Sequence, residues 1–220
     1  MNKKLVIFGC GDIAELALYY FSKDSEYEVV AFTVDNEYLT DEKFCELPVV
    51  AFENLSEHYP PADYKLFIAV SYSGLNGVRE EKYEAGLKRG YSFASYISSY
   101  ATVLSDRIGD NCFILEDNTI QPFVSIGNNV TLWSGNHIGH HSRIEDHCFI
   151  TSHVVISGGV VVNKNSFIGV NSTLRDHIKI GVANLIGAGS IIMNDTEDFE
   201  VYVPEKTSPR KIRSDKLKRI

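Results

Sequence analysis

The chain has 220 residues, 44% of them hydrophobic and 23% charged, which is enough for one large domain or two modest ones. A net charge of -8 argues against nucleic acid as the main partner, because phosphate binding relies on clustered Lys and Arg. No run of eighteen apolar residues exists, the apolar run near Met1 is too short for a signal peptide, and Cys10, Cys45, Cys112 and Cys148 show no CxxC pairing. No membrane span and a reduced, cytoplasmic setting are therefore expected.

From the N-terminus, Lys4–Gly9 (KLVIFG) is a compact apolar run with the length of a buried strand. Gly9-Cys10-Gly11 follows, and Ile13–Phe21 carries apolar residues at helical spacing. Glu28–Val34 reads as a second strand ending at Asp35. Lys65–Val70 reads as another, followed by the loop Ser71–Gly77 and a charged helix around Val78–Arg89. This order predicts a small α/β domain over residues 1–95, with a parallel sheet of three or four strands and right-handed crossovers. The turn Gly9-x-Gly11-x-x-Ala14 matches a dinucleotide fingerprint with Ala in third place, and Asp35 lies at about the expected distance beyond it. A ligand-free strand-to-helix turn is the plainer alternative. Asp12 either competes with a phosphate for the helix-terminal amides or caps the helix.

Tyr96–Arg107 reads as the entry to a repeat, including an imperfect first coil. Stepping by six from Ile108 to Ile192 meets an aliphatic residue at all fifteen positions. Four residues further on in each hexad sits a slim or β-branched residue, among them Cys112, Asn118, Val124, Ser142, Cys148 and Ser172. Neither an α-helix nor a hairpin sheet imposes a period of six. A triangular coil does, each hexad being one short strand and one corner, with 18 residues per turn. The expectation over residues 96–200 is a left-handed parallel β-helix of hexapeptide repeats, in which each coil hides its apolar face on the next. The aliphatic and slim residues should point inward, which makes Cys112 and Cys148 packing residues. The glycine that often follows the aliphatic residue (Gly109, Gly127, Gly139, Gly169, Gly181, Gly187) should give the corner its backbone freedom. Residues 201–220 form a basic tail, a solvated segment or a contact for the phosphates of an anionic ligand.

GCGDIAELALYY, VVAFTVD and FIAVSYS, followed by the repeats and above all by HHSRIEDHCFITSHVVISGGVVVNKNSFIGVNS (residues 140–172), resemble bacterial sugar acyltransferases of the sialic acid O-acetyltransferase type. The group includes N-acetyltransferases that act on nucleotide-linked amino sugars. The resemblance implies a homotrimer, acetyl-CoA as co-substrate in the groove between neighbouring helices, and a sugar or nucleotide sugar held by the N-terminal domain. Gly9, Gly11 and Asp35, with Ser71, Tyr72 and Ser73 on the neighbouring loop, are then the candidate substrate-binding residues. The resemblance also places His140 at the catalytic histidine, and Val170 and Ala188 at positions that contact the coenzyme A arm. Phe149 falls where relatives carry a second histidine near the thioester, and His141 where they often carry a carboxylate.

Independently of any relative, His140 and His141 follow Ile138-Gly139 and so occupy an exposed corner. A neutral imidazole there can take a proton from an attacking amine or hydroxyl. His140 is the leading base, with His141 and His137 as alternatives, while Pro122 and Gly158 are the residues expected to stack on His140. Two other functions fit the same fold. A carbonic-anhydrase-like metalloenzyme needs three converging ligands, yet His141, His147 and His153 lie six apart and should point to three different corners. A non-catalytic scaffold or sugar-nucleotide sensor is suggested by Asp12 and Phe149. No resident metal is expected.

Overall fold

The computed structural model describes residues 3–209 and 211–216. An N-terminal α/β domain precedes a parallel solenoid. In the domain, β1 (Lys3–Phe8), α1 (Asp12–Lys23), β2 (Tyr27–Val34), β3 (Lys43–Phe44), β4 (Leu47–Ala51), β5 (Tyr64–Ile68) and α3 (Gly77–Lys88) follow in order, with the short α2 (Leu55–His58) before β5. The sheet order is β3-β4-β2-β1-β5. Strands β4, β2, β1 and β5 are parallel, and β3 adds a two-residue antiparallel hairpin arm. Ala14, Ala17 and Phe21 recur at helical spacing and bury one face of α1. Phe21 meets Phe67 of β5 edge-on at 5.0 Å and Tyr96 of the first solenoid coil at 5.7 Å. Leu5, Phe67 and Ala94 share one apolar cluster with Phe113 and Leu115, so the two parts have a common core.

The solenoid is a left-handed β-helix with three walls. The first face stacks Tyr96–Ile97, Phe113–Ile114, Thr131–Leu132, Phe149–Ile150, Phe167–Ile168, Leu185–Ile186 and Val201–Tyr202. The second runs from Thr102–Val103 through His137–Ile138 to Ile191–Ile192, and the third from Ser125–Ile126 to Lys179–Ile180. Residues 18 apart pair in parallel, as Thr131 does with Phe149 and Leu132 with Ile150. Of the fifteen aliphatic positions, all but Ile108 are buried, and the slim residues four further on are buried too. The hydroxyls of Ser142, Ser166 and Ser172 and the thiol of Cys148 each donate to the carbonyl 15 residues ahead. Burial pushes the Cys112 and Cys148 thiols up to about 12, which fits packing and not reactivity.

The glycine expectation needs correcting. The left-handed backbone lies two residues later, at Asn111, Asp117, Phe123, Asn129, Gly135, His141, His147, His153, Gly159, Asn165, Asn171, His177, Ala183 and Gly189. Asn, Asp, His and Gly tolerate that conformation best, which accounts for four of the solenoid's histidines without any ligand. The earlier glycine is needed for close approach of coils. A Cβ on Gly139 would lie 2.6 Å from the Gly158 nitrogen, and one on Gly169 would lie 2.5 Å from the Ala188 nitrogen.

The first coil is one residue short. Tyr96 pairs with Phe113 and Thr102 with Thr119, 17 apart, before Ile108 bridges to Ile126 at 18. At the far end Val201–Tyr202 returns to pair with Leu185–Ile186, so the expected boundary after residue 200 falls inside the last coil. Of the basic tail, residues 206–209 and 211–216 are exposed; Arg210 and residues 217–220 lie outside the described residues. Among the described residues no helix is long and apolar enough to cross a membrane.

Candidate active site

The first group of predicted residues lies at the carboxyl ends of the parallel strands. Gly9 has φ 119, and a Cβ there would press on the Ala69 carbonyl oxygen at 2.8 Å, so only glycine fits. Gly11 precedes α1 with open space above it. Asp12 makes no capping hydrogen bond and stays exposed, which leaves the helix start uncapped by any side chain. Between Cys10 and the β2–β3 connection lies a cleft of about 250 Å³ lined by Val34, Tyr38, Thr40 and Phe44 among others. Asp35 closes β2 and is paired at 3.0 Å with Lys82 of α3, a cation that sequence reasoning did not single out. Ser71 and Ser73 hold one another at 3.3 Å on the loop after β5, and Tyr72 between them is half exposed.

Tyr72 joins this cradle to the solenoid. Its ring packs on Phe149 at 5.3 Å and on Phe167 at 4.8 Å. Phe149 is only 2% exposed, sealed by Tyr72 on the first face, with the Arg79 guanidinium 5.6 Å from its ring. The Phe149 side chain, expected at the coenzyme, is covered by Tyr72 in the single chain, and its ring supports the loop after β5. Val170 and Ala188 stack at the corner between the first and second faces and are both exposed.

α3 is pinned to the corner between the third and first faces. Arg79 is 1% exposed and donates to the carbonyls of Asn129, His147 (2.8 Å) and Cys148 (3.2 Å) and to Asn76 Oδ1 (3.2 Å). Burial pushes its guanidinium down to about 10, still charged at neutral pH. Asn76, also buried, donates to the Asn165 carbonyl at 3.0 Å, and Glu80 accepts from Asn165 at 2.6 Å. His147 is buried in this seam, 3.7 Å from Glu80. Burial holds its imidazole below the ordinary range, against the opposing pull of Glu80.

His140 and His141 occupy the remaining corner, between the second and third faces, which is the corner opposite the wall that carries the N-terminal domain. His140 is exposed, and its backbone N–H donates to Gln121 Oε1 at 2.8 Å. Its ring lies over Gly158, where a Cβ would come within 2.7 Å of Cε1. The Nδ1 atoms of His140 and His141 are 3.1 Å apart. No carboxylate among the described residues is hydrogen-bonded to either ring. His141, His147 and His153 stand at three different corners, as their spacing requires, so within one chain they do not converge. The structure thus brings Gly9, Asp35, Ser71, Tyr72 and Phe149 to one side of the molecule and leaves His140 on the other.

No curated protein matches the sequence. Residues 107–140 and 123–158 match the family model for bacterial transferase hexapeptide (six repeats). Among solved structures, the acetyltransferase domain of PglB from Neisseria gonorrhoeae FA1090 is similar at 23% identity, over 88% of this chain and 93% of that one, with a TM-score of 0.77. PerB from Caulobacter crescentus, in complex with CoA and GDP-perosamine, is similar at 23% identity over 90% and 92%, with a TM-score of 0.78. WeeI from Acinetobacter baumannii AYE follows at 16% identity over 88% and 93%, with a TM-score of 0.73. The chain therefore carries the fold these proteins share, a small α/β domain leading into a hexapeptide-repeat left-handed β-helix.

Proposed function

We propose that the chain is an acetyl-CoA-dependent acetyltransferase acting on a nucleotide-linked sugar, with His140 as the general base. The observation that carries this reading is the setting of His140. Four of the solenoid's histidines take the left-handed corner position, which suits them conformationally, whereas His140 occupies the exposed middle of its corner with no such reason. A side chain that the fold does not need, in a position open to a substrate, is a candidate for chemistry. The shared fold supports the choice of substrates. PerB's structure contains CoA and GDP-perosamine, and the PglB domain has been seen in complex with acetyl coenzyme A.

In the proposed reaction the Nε2 lone pair of His140 takes the proton of the acceptor amine or hydroxyl as it attacks the thioester carbonyl. The new bond to carbon forms, the oxyanion is held by backbone N–H groups, and the C–S bond then breaks. The departing CoA thiolate recovers the proton from His140. The groove beside Val170 and Ala188 would hold the pantetheine arm. The nucleotide would lie over Gly9 and Gly11, its base in the cleft beside Cys10, with Asp35 and Lys82 at its edge and Ser71, Tyr72 and Ser73 near the sugar. A substrate in that cradle lies across the molecule from the same chain's His140. A homotrimer with parallel axes closes this gap by bringing one copy's histidine corner to the next copy's cradle.

The test is a mass-spectrometric screen of acetyl-CoA against a panel of nucleotide sugars, with native protein and His140→Ala. We expect acetyl transfer by the native protein and a loss on the order of 100-fold or more in the variant at unchanged Tm. Full transfer by His140→Ala overturns the reading.

A further inference from the structure

We propose that Phe123 is a stacking platform for the acceptor's sugar ring, at the edge of a recess that adjoins the His140 corner. The proposal rests on the reading of that corner as the place of reaction. Three observations carry it.

The first is a bulky residue where the backbone disfavours one. Thirteen of the fourteen left-handed corner positions of the solenoid carry Asn, Asp, His, Gly or Ala; the other is Phe123, with φ 68. A side chain with a large ring is held there at a cost in free energy, and burial within the chain does not offset it, because Phe123 is 61% exposed. The fold does not need this ring.

The second is the recess beside it. Phe123, Pro122, Leu104 and Val103 form one side of a recess of about 610 Å³, a volume in the range of small-molecule sites. Ser105, Asp106 and Arg107 form the other side. The polar side is braced by the chain itself. Ser105 Oγ donates to the Val124 carbonyl at 2.6 Å and accepts from the Arg107 backbone N–H at 3.2 Å, while the Arg107 guanidinium donates to the Phe123 carbonyl. Asp106 is exposed, and its carboxylate has no hydrogen-bond or ion-pair partner among the described residues. An apolar floor with an acceptor at its rim matches a pyranose, whose ring C–H groups form an apolar face and whose hydroxyls project from the edge. C–H bonds are attracted to the negative face of an aromatic ring, and the hydroxyls would donate to Asp106.

The third is where the recess opens. Phe123 stands one coil before His141 at the same corner position, with their rings 4.7 Å apart, and the His141 ring is 5.2 Å from that of His140. A sugar lying on Phe123 is then about one strand spacing, ~4.8 Å, from the coil of His140, so an amine or hydroxyl on its near edge reaches the imidazole. In the proposed trimer this sugar lies between Phe123 and the next copy's loop of Ser71, Tyr72 and Ser73. Stacking reads the face of the ring and fixes its plane. It gives nothing to a bare nucleotide or to acetyl-CoA.

The test measures, by isothermal titration calorimetry on the full-length protein, each nucleotide sugar of the panel, GDP-perosamine among them, against its parent nucleotide. We expect native protein to bind at least one nucleotide sugar more tightly than the nucleotide alone. Phe123→Asn, which suits the left-handed backbone, should lose about three- to tenfold of that advantage, with affinity for the nucleotide and for acetyl-CoA kept within about twofold. Phe123→Tyr should retain the advantage, and Asp106→Asn should lose a smaller part of it. A native protein that binds no nucleotide sugar more tightly than its nucleotide overturns the proposal, as does a Phe123→Asn variant that keeps the full advantage. So does a variant that loses affinity for all three ligands alike, or whose mass by light scattering falls, since the ring then belongs to a contact between copies. If His140→Ala retains transfer while Phe123→Asn loses the sugar advantage, the base is wrong and the platform stands.

Discussion

In the solenoid, Ile138 packs between Ile120 and Ile156, and every coil repeats that relation 18 residues along the chain. In the N-terminal domain, Phe21 packs among Tyr27, Phe67 and Tyr96, partners at irregular distances in sequence. The first kind of core is a column whose members are interchangeable, and its stability is a sum of neighbouring coils. The second is a cluster of unlike shapes in which each ring has its own place. The two also divide the labour of the proposed chemistry. The irregular part supplies the varied cradle for a nucleotide, and the regular part supplies an invariant rail that sets His140 at a known height. The seam at Arg79 is where they meet.

The largest effect should come from breaking that seam. Arg79→Ala strands the buried carbonyls of Asn129, His147 and Cys148, at about 1–3 kcal/mol for each acceptor left unsatisfied. Urea unfolding of the variant is expected to separate into two transitions, the N-terminal domain first, and that of the native protein to show one. A single transition in the variant would mean that the common apolar core alone couples the two parts. Ile150→Ala in the middle of the rail should cost about 2–5 kcal/mol by cavity formation and broaden the solenoid transition. The midpoint in urea measures it.

A smaller effect is pH-dependent and sits in the seam. Burial lowers the His147 pKa in the folded state, so below its unfolded value of about 6.5 the unfolded chain binds more protons than the folded one. Stability is then intact above that pH and falls on acidification, by at most about 1.4 kcal/mol per pH unit for the single proton. His147→Asn, which suits φ 63 at that corner, should flatten the dependence of Tm on pH below 6.5. The smallest expected effect is at Phe123. Replacement by Asn should relieve left-handed strain and stabilise the fold by about 0.5–1 kcal/mol, read as a rise in Tm.

The same contrast explains what could be read from the residues alone. The hexad phase from Ile108 to Ile192 is legible because the triangular coil imposes one spacing on every inward side chain. The fingerprint turn at Gly9 is legible because a local backbone demand selects its residue. The first coil is hard to see because one residue is missing between Val103 and Ile108, and the closing strand because Val201 returns after 16 residues. The roles of Arg79 and Lys82 were not legible, since a charged helix reads as solvated and their partners across the fold, from Asp35 to Cys148, lie 47 to 69 residues away. The burial of Phe149 under Tyr72 was not legible, because a column position says which wall a side chain leaves from, and nothing about what then covers that wall. The corner glycines were misjudged because crowding between coils and left-handed φ both favour glycine, and only the backbone tells them apart.

The closing strand has a consequence for the protein's behaviour in crowded solution. A stack of parallel strands ends in a row of unpaired amides and carbonyls, a template on which another chain can grow. Val201–Tyr202 covers that row along Leu185–Ile186, and Tyr202 packs against the last of the aliphatic core. The segment is two residues long and leads into an exposed, proline-bearing stretch that forms no strand among the described residues. A chain cut before Val201 would keep the rail and His140 but bare the Leu185–Ile186 edge beside the already open Ile191–Ile192 edge, and it should self-associate more readily, read by light scattering.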